Sequence, residues 1–142
     1  MYVKQVFPEE SKVAMQALVA NLRVALKDRL EKLEWMRPET RAKALEKLST
    51  FNPMIGYSDK WRDHSGLAIH AGENYYANVM ASAAFENTYR MAKVGKPVDR
   101  KEWGMTPRTV NAYYNPLKNE IVFPAAILQP PFFDVNADPA LN

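Results

Sequence analysis

The sequence contains no cysteine. Disulfides, thiolate metal ligands and a cysteine nucleophile are therefore excluded. Histidine is almost as scarce. Only His64 and His70 are present, and no H-E-x-x-H helix occurs anywhere in the chain. His70 could pair with Glu73, but two ligands do not make a zinc site, which takes three or more protein ligands. Ser65 is next to His64, yet adjacency in sequence is not a catalytic triad and no orienting carboxylate is identifiable. The five glycines form no phosphate-cradling loop. No apolar run approaches the ~20 residues that a bilayer crossing requires, and the opening Met1-Tyr2-Val3-Lys4-Gln5-Val6-Phe7-Pro8 has no signal-peptide core. Charge of one sign is not in excess either. The chain carries 19 Lys+Arg against 16 Asp+Glu, interspersed as in Lys27-Asp28-Arg29, and lacks the clustered basic stripe of a nucleic-acid binder. Nucleic acid is not expected as a partner.

What is present is ordinary globular material. The 142 residues, 47% hydrophobic and 25% charged, suit one domain, or one small domain plus part of another. The first long element runs from about Pro8 to Met36. Met15, Leu18, Leu22, Leu26, Leu30 and Leu33 recur every three or four residues, which makes one apolar stripe. A helix of roughly 40 Å is a strut for something larger than a small isolated domain. Pro38 opens a second helix to about Ser49, with Ala42, Leu45 and Leu48 on its buried side and Asn52-Pro53 as its stop. Residues 53–71 read as an irregular connection anchored by Ile55, Tyr57 and Trp61. A third helix runs from about Glu73 to Val94, with a stripe of Tyr76, Val79, Met80, Ala83, Asn87, Met91 and Val94, and stops at Gly95-Lys96-Pro97.

The character changes after Pro97. Thr109 to Tyr114 and Glu120 to Phe123 read as strands, and Asn115-Pro116-Leu117-Lys118-Asn119 as the turn of a β-hairpin. A lone hairpin is marginal in water, so this one is expected to belong to a larger sheet whose other strands are absent from this chain. The fold class is mainly α with a C-terminal β-hairpin. Asn111 is the odd residue of the pair, because asparagine is depleted in strands and its amide offers both a donor and an acceptor to an incoming backbone. A bulge or an edge position is the plainer explanation. Phe123, Phe132 and Phe133 are core or pocket wall.

At this hairpin the sequence resembles a known family. Val110-Asn111-Ala112-Tyr113-Tyr114, then Asn119-Glu120-Ile121-Val122-Phe123-Pro124-Ala125, then Ile127-Leu128-Gln129-Pro130-Pro131-Phe132-Phe133, are similar to the neprilysin-like zinc endopeptidases. Trp35-Met36, Thr40 to Leu48, Ile55-Gly56-Tyr57 and Lys101-Glu102-Trp103 fit the same family in the same order. The absence of cysteine resembles its bacterial oligopeptidase branch. The resemblance implies a fragment of a two-lobed enzyme: residues 1–98 the end of a helical lobe, and residues 99–142 the start of a thermolysin-like catalytic lobe. It implies zinc in the complete protein but none in this chain, because the zinc histidines, the general-base glutamate and the third ligand all lie beyond Asn142 in the family's order. The complete enzyme would cleave short peptides by attack of a zinc-activated water, and its compartment would be extracytoplasmic, periplasm or cell envelope.

The resemblance also assigns roles. Asn111 would touch the substrate backbone with its side chain, Ala112 would offer main-chain groups, and Tyr113 would face the non-primed side. Ile127 and Phe132 would line the hydrophobic pocket for the residue after the scissile bond. The alternative is a non-catalytic module of the same descent that binds peptides or a partner protein. Faces normally buried against missing segments could also pair two copies artificially.

Overall fold

The computed structural model describes residues 2–72 and 74–142. It divides into two compact units. One joins residues 1–58 to residues 100–142, and the other comprises residues 59–99.

The first unit opens with a short helix α1 (Tyr2–Val6), and α2 (Glu9–Glu31) follows directly after Pro8. Pro8 is extended at the N-cap and Glu9 and Glu10 occupy the positive end of the helix. The helix stops at Glu31, short of the expected Met36, and Leu33 falls outside it. The cause lies beyond the stripe. The Arg41 guanidinium donates to the carbonyls of Leu33 and Met36, and Arg37 is held extended ahead of Pro38. The stripe itself is covered for only half its length. Met15 and Val19 are buried, while Leu22 is 61% exposed and Leu26 is also bare. Helix α3 spans Pro38–Ser49 as the sequence indicates. Leu45 and Leu48 are half-buried, but Ala42 is exposed and Ala44 and Arg41 take the inner side instead.

The expected hairpin exists as β2 (Tyr113–Asn115) and β3 (Glu120–Pro124), paired antiparallel with Tyr113 opposite Val122. The expectation that the remaining strands lie outside the chain is wrong, because a third strand comes from within it. A strand absent from the sequence reading, β1 (Asn52–Gly56), pairs in parallel with β3, Asn52 opposite Glu120, and gives the order β1-β3-β2. Pro53 is tolerated because β1 is an edge strand. Asn119 ties the layers together. With φ 48°, its side chain donates to the Lys47 carbonyl at 2.7 Å and accepts from the Tyr114 hydroxyl at 3.0 Å, while its carbonyl accepts from the Asn52 amide.

One face of this sheet, with Ile55 buried and Phe123 partly so, packs with Phe7, Met15, Val19, Ala125, Leu128 and Phe133 into the main apolar cluster. The other face carries Met54, Val122 and Glu120, all buried. The segment 100–107 is tied to that side. The Asn52 side chain donates to the Arg100 carbonyl at 2.9 Å, and the Gly104 amide donates to the Tyr113 hydroxyl at 3.2 Å.

In the second unit α4 spans Tyr75–Met91, capped by the Asn74 side chain, which accepts from the Ala77 amide at 2.8 Å. Glu73, where the sequence starts this helix and which it offers as a partner for His70, lies outside the described residues. The stripe chosen from periodicity is on the exposed side: Tyr76 is 70% exposed, and Val79, Met80, Met91 and Val94 are bare as well. The inner side is built from Ala77, Ala81, Phe85 and Tyr89. The 59–72 segment selects it. Arg62 lies 3.8 Å from the Tyr89 ring centroid and pairs with Glu86 at 2.7 Å, and His64 stacks on Phe85. The Arg62 guanidinium holds the Glu86 carboxyl below its ordinary range. Trp61, expected as an anchor, is 59% exposed. Ile55, by contrast, is buried as expected.

Candidate substrate-binding edge

Three of the five candidate residues are consecutive and sit where the sheet ends. The expected strand from Thr109 shortens to Tyr113–Asn115. Continuing the register would set Asn111 opposite Pro124, which has no amide hydrogen to donate. The chain after Pro124 is committed elsewhere, since the Ala125 amide donates to the Gly56 carbonyl at 2.8 Å and the Ala126 amide to the Pro107 carbonyl at 2.9 Å. Asn111 and Ala112 therefore form the lead-in to β2, and β2 is an edge strand with one side paired to β3.

Asn111 is exposed, and its Oδ1 accepts from the amide of its neighbour Ala112 at 2.8 Å. Ala112 is half-buried. Tyr113 is half-buried too, with its hydroxyl bound by the Gly104 amide. Its pKa is raised, first by burial; the Gly104 hydrogen bond opposes that, and the charges of Glu120 and Glu102 add to it.

The other two candidates lie on the loop after β3. Ile127 packs partly buried against the main cluster, whereas Phe132 is 61% exposed and its neighbour Phe133 is the buried one. The Ala126–Pro107 hydrogen bond joins this loop to the segment that leads into Asn111. A groove of about 510 Å³ runs between α2 and the 133–142 tail, and none of the five residues lines it.

Two further residues at this edge escaped the sequence reading. Gly104 has no room for a side chain, since a Cβ there would come within 2.9 Å of the Tyr113 hydroxyl. Glu120 is 1% exposed in the central strand. Only Glu120 left a signal, because it alternates in phase with Val122 and Pro124, a charge on the buried face of a strand. Among the described residues, no group of three or more histidines or carboxylates is placed to hold a metal. Exposed to zinc after chelation and dialysis, the 142-residue chain should retain less than about a tenth of an equivalent by metal analysis; a tightly held full equivalent refutes this.

Two sequence models of peptidase family M13 match the chain, an N-terminal one over residues 1–58 and the peptidase one over residues 111–142, which includes all five candidates. The chain belongs to peptidase family M13. Among M13 relatives, Neprilysin-3 of Drosophila melanogaster is 42% identical across the whole chain, which covers 19% of that protein. Endothelin-converting enzyme 1 of Homo sapiens is 38% identical, again with all of this chain and 19% of the relative. A zinc metalloprotease of Mycobacterium tuberculosis, solved in an open state, superposes with a TM-score of 0.83 at 52% identity over 98% of this chain and 21% of that one. PepO from Lactobacillus rhamnosis superposes at 0.89 with 30% identity over 96% of this chain and 22% of its own. The chain spans about a fifth of the length of the M13 relatives it matches. Among the described residues no helix is long and apolar enough to cross a membrane.

Proposed function

We propose that this chain is the substrate-cleft portion of a zinc-dependent endopeptidase that hydrolyses short peptides, with residues 1–98 closing a helical lobe and residues 99–142 opening the catalytic lobe. The observation that carries this reading is the edge position of β2, with exposed Asn111 and half-buried Ala112 leading into it. An edge strand offers amides and carbonyls that pair with any peptide main chain, whatever its side chains. The Ala112 amide is already engaged by Asn111 Oδ1. A peptide carbonyl that takes this amide displaces the carboxamide, which is then available to grip the peptide's next amide group. Ile127 and Phe132 supply apolar wall on the primed side, and exposed Phe132 gains cover when a substrate side chain seats against it. Tyr113 lies on the non-primed side. Zinc, held by residues outside this chain, supplies the activated water in the complete enzyme, which works outside the cytoplasm, in the periplasm or cell envelope.

The test uses the full-length protein that contains this chain. It should hydrolyse a short peptide, lose activity roughly a hundredfold or more on chelation and regain it with zinc. Hydrolysis that survives chelation, or no hydrolysis by the zinc-loaded protein, overturns the proposal.

A further inference from the structure

Gly104 sits in the loop from Arg100 to Pro107, and both ends of that loop are fixed. The Arg100 guanidinium donates to the Thr50 and Lys118 carbonyls at 2.7 and 2.9 Å, and the Arg100 carbonyl accepts from the Asn52 side chain. At the other end the Pro107 carbonyl accepts from the Ala126 amide at 2.9 Å. Between them the Gly104 amide donates to the Tyr113 hydroxyl. Gly104 lies outside the positive-φ region, so its backbone does not itself require glycine. What excludes a side chain is the hydroxyl. An added Cβ would stand 2.9 Å from it, whereas the next two ring atoms lie at 3.5 and 4.0 Å, ordinary contact distances. The Tyr113 ring has little freedom to retreat. Tyr113 pairs with Val122, and Val122 pairs on its far side with Met54, so all three share one face of the sheet. Val122 and Met54 are buried. A ring pushed off Gly104 is therefore blocked toward the sheet centre and turns toward the unpaired side of β2. A peptide added there as a strand would set a side chain against it, because neighbours on one face of adjacent strands touch.

We propose that Gly104 is a positioning residue that sets substrate specificity: its missing side chain lets the Tyr113 ring lie back against the 100–107 loop, and the space this leaves beside β2 admits a bulky non-primed residue of the peptide. The proposal rests on the reading of β2 as the substrate-binding edge. A methyl group at position 104 would tip the ring into that space. Small peptide residues would still fit, and large ones would meet the ring.

The experiment compares Gly104→Ala, Tyr113→Phe and the double variant in the full-length protein. The substrates are short peptides with glycine at the three residues before the scissile bond, and leucine placed at each of these in turn. For Gly104→Ala, kcat/KM should fall about tenfold with leucine at the position beside Tyr113 and stay within about threefold of native on the other peptides. Tyr113→Phe removes the hydroxyl that an alanine would meet, so the double variant should match Tyr113→Phe on every peptide. An equal loss on all peptides leaves Gly104 a structural role alone and overturns the proposal, as does a Gly104→Ala protein of native specificity. A selective loss that persists in the double variant overturns it too, because the hydroxyl is then not the cause. Should the native protein cleave no peptide, the edge-strand reading fails. A crystal structure of the Gly104→Ala protein still decides the contact, which an unmoved Tyr113 ring refutes.

Discussion

Replacing Asn111 by alanine in the full-length protein should lower kcat/KM for a short peptide by roughly tenfold to a hundredfold. A scissile carbonyl must be held to within a fraction of an ångström of its productive position, and small misplacements can cost roughly a hundredfold in rate. The carboxamide at position 111 is exposed and lies just ahead of the edge strand. Removing it leaves peptide groups poorly paired in a partly dry cleft, a loss of about 1–3 kcal/mol. Stability should hardly move, because among the described residues the exposed side chain bonds to the adjacent Ala112 amide and is not part of the apolar cluster. Asn136→Ala is the matched control. Its backbone amide, not its side chain, makes the local bond to Asp134, so activity should be unchanged. Peptide kinetics alongside thermal melting and zinc content separate the two effects. Unaltered hydrolysis by Asn111→Ala would return Asn111 to an ordinary loop asparagine.

Gly56→Ala should destabilise the fold by about 2–5 kcal/mol, from two independent causes. The first is conformational. Gly56 has φ 79°, the left-handed region in which a Cβ meets the following carbonyl and costs about 1–2 kcal/mol. The second is steric. A Cβ built there falls 2.8 Å from Cε1 of Phe7, a ring buried in the main cluster and set edge-on to Tyr57 at 6.3 Å. Overpacking of that kind adds about 1–3 kcal/mol. The damage reaches the candidate site because the Gly56 carbonyl accepts from the Ala125 amide, at the start of the loop that carries Ile127. Against a total stability of about 5–15 kcal/mol, the expected loss lowers Tm by roughly 6–15 °C. Adding Phe7→Leu to Gly56→Ala should recover the steric part and leave the backbone part. Urea unfolding of the single and double variants measures both. A Gly56→Ala protein that unfolds at the native urea concentration contradicts the argument.

The sequence by itself determined whatever is written within a few residues. The bounds of α3 could be read because Pro38 presets its first turn and Asn52-Pro53 prevents its continuation. The β2–β3 hairpin could be read because its turn residues are local. The family could be read because the strings from Asn111 to Phe133 are long and unusual. The candidate residues Asn111, Ala112, Tyr113, Ile127 and Phe132 came from that resemblance; chemistry alone raised Asn111 as one of several options and set Phe132 between core and pocket wall.

The tertiary structure decided the rest. Strand β1 was invisible because Asn-Pro-Met-Ile-Gly shows no alternation and contains both strand breakers; it exists because β3, far along the chain, supplies a parallel partner. The stop of α2 was set by the guanidinium of Arg41, which lies outside the helix. The face of α4 was set by Arg62 and His64, since an apolar period marks a stripe but not which neighbour will cover it. The phase of Glu120 with Val122 and Pro124 marks its face of the strand, but how deeply it is buried was decided by what packs against that face. The edge itself is of this kind. Whether a strand has one neighbour or two depends on every other strand in the sheet, and only the assembled order β1-β3-β2 leaves β2 with a side to offer.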